Sequence, residues 1–319
     1  MQMLVQETSL KNEILRLKKE KDVVILAHNY QIPDVQDVAD FTGDSLGLSR
    51  QAAKVSQKTI LFCGVHFMAE TAAIICPEKR VLIPDLQAGC SLSDSITIEE
   101  LRNWKKQHPG AITVGYVNTT AEIKSELDYC CTSANAVNVV KAIPDDKEIL
   151  FLPDMFLGSY VAKVTGRKNM FIWAGECHVH AGITPEDIRK KLDSLQDAEF
   201  VIHPECSCTT PIMYDVAAGN FDYRKVSILS TEGMLNHVHD SKAKNFVVAT
   251  ETGILYKMRQ QNPGKTFIPA SEKAECQYMK MITLKKVYDA LVQEKNVVTV
   301  PKKIADKARL AIERMLAIN

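Results

Sequence analysis

The stretch from Phe171 to His180, FIWAGECHVH, joins a short apolar run to a thiol and two imidazoles. The apolar run predicts a buried strand, and such strands commonly present reactive groups just past their C-terminal ends. Cys177 and the histidines that follow it can bind a metal there, act as nucleophile and base, or pack in the core. The spacing alone leaves these three interpretations open.

The chain has nine cysteines at irregular spacings and contains no CxxC motif. An odd, irregular set argues against a disulfide framework and against a zinc ribbon. Four of the thiols lie in apolar or strand-like context and are expected to be structural: Cys63, Cys76, Cys130 and Cys131.

Three other thiols each follow the last strand of a repeated unit described below. They are Cys90, Cys177 and Cys276. Thiolates suit iron–sulfur ligation, and a 4Fe-4S cluster with three of them keeps one iron free to act as a Lewis acid. Cys206 and Cys208, with His203 close by, form a competing metal half-site within one loop.

Strands and helices alternate along the sequence, which is typical of parallel α/β folds. The pattern restarts twice, with 88 residues between the strand ends at Tyr30 and Asn118 and 87 between Asn118 and Glu205. A near-constant period indicates repeated supersecondary units, here of roughly 90 residues. The alternative is one large doubly wound sheet with coincidental spacing.

The repeat predicts three pseudo-symmetric, three-layer αβα domains arranged around a central site. Their expected bounds are 1–105, completed by C-terminal helices in 281–319, then 106–190 and 191–280. Within the first domain we expect a helix from about Asp34 to Phe41 and a second helix with Ser45 as its N-cap.

Each predicted unit carries polar residues after its first strand. They are His28 and Tyr30, then Tyr116 and Asn118, then His203 and Glu205. A small hydroxyl near a predicted helix start follows in each unit, at Ser45, Ser133 and Thr231. Helix N-termini favour anions, so three of them around one cavity suit a substrate with carboxylates or a phosphate. Taken singly, each hydroxyl is explained as well by helix capping.

The net charge and the hydropathy of the sequence argue against two classes of protein, those that bind nucleic acid and those that cross a membrane. Lys and Arg together number 39, as do Asp and Glu, which gives no basic field to hold nucleic acid. No apolar run reaches the roughly 18 residues of a membrane span. The N-terminal segment predicts a charged amphipathic helix and lacks the apolar centre of a signal peptide. We therefore expect a cytoplasmic enzyme with reduced thiols and without nucleic-acid or membrane partners.

Short motifs over nearly the whole chain resemble, in content and order, the quinolinate synthase family of de novo NAD biosynthesis. They are LAHNYQ (26–31), GDSLGLS (43–49), AGC (88–90), YVNT (116–119), TSAN (132–135), WAGECHVH (173–180), HPEC (203–206), STEGM (230–234) and CQYMK (276–280). Together these motifs are highly specific for the family, whereas any one alone would not be.

The resemblance implies three αβα domains around a 4Fe-4S cluster held by Cys90, Cys177 and Cys276, with one open iron acting as Lewis acid. It thereby argues against Cys206 and Cys208 as metal ligands. The implied reaction condenses iminoaspartate with dihydroxyacetone phosphate to give quinolinate, phosphate and two waters without net redox change. It also implies a functional link to L-aspartate oxidase.

By the same resemblance, Glu205 is the acid/base, and Tyr30, Tyr116 and His203 complete the catalytic set. The residues expected to hold substrate are His28, Ser45, Asn118, Ser133, His180, His203, Glu205 and Thr231. Some family members extend the last cysteine into CxxCxxC, but here Met279 lies three residues after Cys276, so that redox segment is missing.

Two other function classes remain compatible with the residues. One is a mononuclear zinc hydrolase that uses His203, Cys206 and Cys208. The other is a metabolite-binding protein whose thiols are structural. Metal analysis of anaerobically purified protein separates both from a cluster enzyme.

Overall fold

The computed structural model describes residues 2–195, 197–220 and 222–318, and of residues 2–7, 192, 193 and 223 it gives only the backbone. Met1, Gln196, Phe221 and Asn319, which belong to the predicted first and third domains, lie outside the described residues. Among the helices described, none combines the length and the apolarity needed to cross a bilayer.

Three four-stranded sheets, parallel throughout, form the framework, and all three have the same strand order, second-first-third-fourth. The first sheet contains β1 (Val23–His28), β2 (Phe41–Gly43), β3 (Thr59–Cys63) and β4 (Arg80–Leu82); the second contains β5 (Ile112–Tyr116), β6 (Tyr129–Cys131), β7 (Ile149–Leu152) and β8 (Met170–Ile172); the third contains β9 (Glu199–Ile202), β10 (Val226–Ile228), β11 (Asn245–Ala249) and β12 (Thr266–Pro269). The predicted threefold αβα architecture is confirmed, and the single-sheet alternative is wrong.

Helices cover both faces of the sheets, which explains why the central strands consist of continuous apolar residues. All six residues of β1, for example, are buried. The described helices are α1 (Gln2–Glu20), α2 (Pro33–Val38), α3 (Ser45–Lys54), α4 (His66–Ile75), α5 (Ile98–Gln107), α6 (Ala121–Lys124), α7 (Ala136–Lys141), α8 (Met155–Thr165), α9 (His178–Ala181), α10 (Pro185–Ser194), α11 (Thr209–Ala217), α12 (Thr231–Asp240), α13 (Ile254–Gln261), α14 (Gln277–Lys280), α15 (Leu284–Gln293) and α16 (Lys302–Ala317).

The two C-terminal helices return to the beginning of the chain. Helix α15 packs on α1, α2 and β3, all from the first repeat. Helix α16 packs on α4 of the same repeat and also on α6 and β6 of the second. The last helix therefore joins the first two units, whereas the sequence predicts that the C-terminal helices complete the first one.

The expected helix from Asp34 to Phe41 is too long. Helix α2 ends at Val38, and Phe41 starts an edge strand that pairs with Leu26 of β1. The side chain of Asp40 accepts a hydrogen bond from the Ile25 N–H at 2.8 Å, and its own N–H donates to the Ile25 carbonyl. These two bonds draw the segment to the sheet edge.

The strand before Cys177 is also less buried than its apolar sequence predicts. Strand β8 pairs only with β7, and Phe171 at its centre is 40% exposed. An edge strand covered on one face can expose an aromatic side chain without loss of pairing. The chain then leaves the sheet, and Cys177 precedes a single helical turn.

Gly115 of β5 gives a stability test of how the strand before Tyr116 is packed. A β-carbon added at this position would overlap the side chain of Leu127, which is 8% exposed. We expect Gly115→Ala to lower the free energy of unfolding by about 1–3 kcal/mol, measured by urea denaturation. Gly264→Ala is the matched control, because nothing lies within 4 Å of its added carbon. Equal stability of the two variants would contradict this packing.

Candidate active site

The first strands of the first and third sheets end in the same local arrangement. Strand β1 ends at His28, whose Nδ1 accepts the Tyr30 N–H at 3.2 Å. After β9, the Nδ1 of His203 accepts the Glu205 N–H at 3.4 Å. Because Nδ1 accepts in both, the neutral rings carry their proton on Nε2. The backbone thus aims one imidazole and the side chain two residues later into the interior.

All of the predicted site residues lie on the wall of one cavity, which encloses about 650 Å³ including its mouth. They are His28, Tyr30, Ser45, Cys90, Tyr116, Asn118, Ser133, Cys177, His180, His203, Glu205, Thr231 and Cys276. Residues from all three sheets therefore meet there. The structure gives their position, and their chemical roles stay predictions.

Glu205 is buried among groups that favour its ionised form. Tyr116 donates a short hydrogen bond to Oε1, and the Nδ1 of His180 lies 3.3 Å from Oε2. Burial raises the pKa of Glu205, but the imidazoles of His180 and His203 and the Tyr116 hydroxyl outweigh burial and bring the pKa to about 2. The carboxylate is therefore ionised at neutral pH.

The histidines around Glu205 divide into neutral and charged rings. Burial lowers the pKa of His28 and of His203 to about 3, so both are neutral. Burial also disfavours a charged His180, but the Cys177 sulfur and the Glu205 carboxylate raise its pKa well above the ordinary value. His180 is thus the one ring of this group that holds an extra proton, next to an ionised carboxylate.

Thr250, which the sequence analysis did not select, joins two of the predicted residues. Its hydroxyl lies 2.5 Å from the Tyr30 hydroxyl and 2.9 Å from Nε2 of His180. All three side chains are buried. The threonine therefore fixes the orientation of Tyr30 relative to His180 across 220 residues of sequence.

The expected N-cap role of Ser45 is wrong, because Asp44 caps α3 and accepts the Gly47 N–H at 2.7 Å. Thr231 is likewise the first residue of α12, and Ser230 caps that helix. Ser133 lies before α7, whose N-cap is Asn135. Because Asp44 caps α3, the hydroxyl of Ser45 is not used as a helix cap, and the hydroxyl of Thr231 accepts from Nδ2 of Asn29 at 3.4 Å but keeps its own proton to donate.

Each of the three predicted ligand thiols lies beside the start of a helical turn. Cys177 and Cys276 are the N-cap residues of α9 and α14. The backbone amides of Leu92 and Ser93 lower the pKa of Cys90, and those of Tyr278 and Met279 lower that of Cys276, but burial outweighs them. Burial raises the pKa of Cys90 well above its ordinary value, so a thiolate there requires a compensating cation.

The competing half-site does not reach the cavity. Cys206 and Cys208 are fully buried in the apolar core around β9, and the Cys206 thiol donates to the Ala249 carbonyl at 3.1 Å. Across the described ranges, the one group arranged to hold a single metal ion is Cys177, His180 and Glu205, whose ligand atoms lie within 4.8 Å of one another. A mononuclear site, if there is one, therefore uses a different donor set from the one expected.

Sequence reasoning missed two buried carboxylates next to the predicted ligand cysteines. Glu251 accepts the Cys276 N–H at 3.1 Å and pairs with Lys280 at 2.8 Å. Asp154 caps α8 by accepting the Leu157 N–H at 2.6 Å, and the Cys177 amide lowers the pKa of its carboxyl group against the larger effect of burial, which raises it. Both carboxylates lie two residues after the third strand of their sheet. The sequence analysis compared the polar residues after the first strand of each unit, and the same comparison after the third strand would have found them.

Comparison with known proteins shows the family of the chain. The family model described as Quinolinate synthetase A protein matches residues 12–317. The chain belongs to this family. The match spans all three sheets and includes every residue on the predicted cavity wall, from His28 to Cys276.

Individual relatives of the family cover nearly the whole chain. Quinolinate synthase of Thermus thermophilus is 53% identical over 311 residues, 98% of each chain. The enzyme of the same name from Mycobacterium sp. strain KMS is 52% identical, covering 96% of this chain and 91% of its own. The protein of that name from Mycobacterium tuberculosis is also 52% identical over 96% of this chain and 88% of its own length.

Proposed function

We propose that the protein is a quinolinate synthase that condenses iminoaspartate with dihydroxyacetone phosphate, releasing phosphate and two waters. The observation that carries the proposal is the convergence of three thiols and the Tyr116–Glu205 pair on one cavity, in a chain of this family. A functional link to L-aspartate oxidase belongs to the same proposal, since that activity would supply the imine.

The donor set of the cavity fits a 4Fe-4S cluster held by Cys90, Cys177 and Cys276. The three half-buried thiols follow the last strands of three different sheets and lie on the wall of one cavity, as three cluster ligands must. Such a cluster would supply a Lewis-acidic iron that polarises a substrate oxygen without net redox change.

The chain's own residues would move protons and stabilise charge around the substrate. The Glu205 carboxylate, ionised in the free protein, accepts a proton from the substrate carbon or hydroxyl. Tyr30 donates a hydrogen bond to a developing oxyanion, and Tyr116 can do so once Glu205 has taken up a proton and no longer needs the Tyr116 hydroxyl as donor. His180, already protonated beside Glu205, returns a proton to a departing hydroxide.

Several polar atoms are placed to hold carboxylate or phosphate oxygens. The neutral His203 ring donates from Nε2 toward the Ser133 hydroxyl at 3.2 Å. Ser45 and Thr231 lie at the first turns of α3 and α12, where free N–H groups favour anions. The buried Oδ1 of Asn118 has no hydrogen-bond partner among the residues that the structure describes, and it can accept from a substrate hydroxyl or imine N–H.

The direct test is quinolinate formation from iminoaspartate and dihydroxyacetone phosphate by anaerobically purified protein. We expect quinolinate and phosphate in equal amounts, with no added oxidant or reductant required. A protein that holds its metal fully but forms no quinolinate from these substrates would refute the proposed reaction.

Thr250 provides a second test within the same assay. Thr250→Val keeps the side-chain volume but removes the hydroxyl that positions Tyr30 and His180. The bond to Tyr30 is neutral and worth about 1 kcal/mol, whereas the bond to the charged His180 ring is worth about 1.5–3 kcal/mol, so their loss predicts a drop in kcat of about tenfold or more. Thr250→Ser retains the hydroxyl and should retain most of kcat. Equal kcat values for the valine and serine variants would remove this positioning role.

A further inference from the structure

Lys124 is a fully buried lysine that the proposed chemistry does not use. It is the last residue of α6, and its exposed fraction is 0%. The ammonium donates a short hydrogen bond to the Thr119 carbonyl and lies 5.4 Å from the centre of the Phe67 ring. Burying an ammonium costs several kcal/mol unless an opposite charge compensates it, so this position calls for an explanation.

No carboxylate supplies that compensation within the described part of the chain. Glu70 is close enough to act on Lys124 electrostatically, but it forms no ion pair with it. Its Oε2 instead accepts the Ala121 N–H at 3.0 Å, and its Oε1 lies 3.9 Å from His66. One carbonyl and one aromatic face offset only part of the cost of burying a charge.

The position of Lys124 relates it to the cavity wall. Phe67, whose ring faces the ammonium, lines the cavity together with Cys90. The first N–H of α4, that of His66, donates to the Ala88 carbonyl at 2.7 Å and so ties the helix to the Cys90 loop. On the other side, Thr119 follows Asn118, which also lines the cavity. The ammonium therefore lies one layer of side chains behind the wall that carries Cys90.

We propose that Lys124 is the buried counter-charge of the thiolate set around Cys90. An oxidised 4Fe-4S core with three thiolate ligands carries a net negative charge. This charge would compensate the Lys124 ammonium, which forms no ion pair with a described carboxylate. The inference rests on the proposed function only in that it assumes a bound cluster. Burial lowers the pKa of Lys124, so a nearby negative charge is needed to hold the side chain in its charged form.

Two uncharged variants separate charge from hydrogen bonding. Lys124→Gln retains an N–H donor for the Thr119 carbonyl, whereas Lys124→Met retains only the length of the chain. We expect both variants to lower the equilibrium constant for reduction of the bound cluster about tenfold. For a one-electron couple, the midpoint potential then becomes more negative by about 59 mV. The measurement is a redox titration followed by electron paramagnetic resonance, at matched iron content. A wild-type potential in either variant would overturn the proposal.

The melting temperature with and without the cluster gives an independent readout. In cluster-free protein, Lys124→Met should be as stable as the wild type or more stable, because an uncompensated charge is removed. Cluster loading should raise the melting temperature less in this variant than in the wild type. An equal rise in both would overturn the proposal, and so would a wild type that binds no cluster. Shifted potentials in a protein that makes no quinolinate would support Lys124 and refute the proposed reaction instead.

Discussion

Glu205→Gln is expected to lower the turnover of quinolinate formation by about 10²–10⁴-fold. The amide has nearly the same size and can still accept from Tyr116, but it cannot take up a proton. It also removes the negative charge that, with the Cys177 sulfur, raises the pKa of His180. The single substitution therefore removes the proton acceptor and also the charge that keeps His180 protonated.

Glu199→Gln is the matched control for this variant. Glu199 is the first residue of the same strand, β9, and its carboxylate contacts His237 and Ser241, away from the cavity. We expect its turnover to match that of the wild type. Full turnover by Glu205→Gln would show that its carboxylate is not the proton acceptor.

Cys276→Ala is expected to abolish cluster binding and with it all measurable turnover. An alanine leaves two thiols, and the remaining Cys90 and Cys177 cannot supply a third protein ligand. The measurement is iron and sulfide content after anaerobic purification, together with the quinolinate assay. Alanine variants of Cys90 and Cys177 should behave in the same way.

Cys208→Ala is the control for the cysteine series. Its sulfur is fully buried in the core around β9, so the substitution should cost some stability but leave the iron content unchanged. Loss of iron from Cys208→Ala, with retention in Cys276→Ala, would show that the Cys206–Cys208 loop is the metal site after all.

The repeated architecture could be predicted because it depends on local sequence. Continuous apolar runs such as residues 23–28 form central strands, and the polar residues after them fall at the same sheet edge in every unit. The near-constant offset between Tyr30, Asn118 and Glu205 was therefore enough to predict most of the residues on the cavity wall.

The errors and omissions share a physical cause, which is contact between distant segments. Thr250 contacts Tyr30 across 220 residues, and no local pattern marks it. Lys124 ends a short helix and looks like a surface residue in sequence, since its burial depends on α4, α5 and α16, which pack against α6 from distant parts of the chain. The N-cap is the residue just before the first helical residue, so a shift of the helix start by one residue changes which side chain caps the helix. Helix α3 starts at Ser45, and Asp44 therefore caps it.

The central claim is that three thiols from three repeated units hold one iron–sulfur cluster. The most direct measurement is the iron, zinc and acid-labile sulfide content of wild-type protein purified without oxygen. We expect a brown protein with about four irons and four sulfides per chain and no stoichiometric zinc. A colourless protein with about one zinc per chain would contradict the claim and favour a mononuclear site at Cys177, His180 and Glu205.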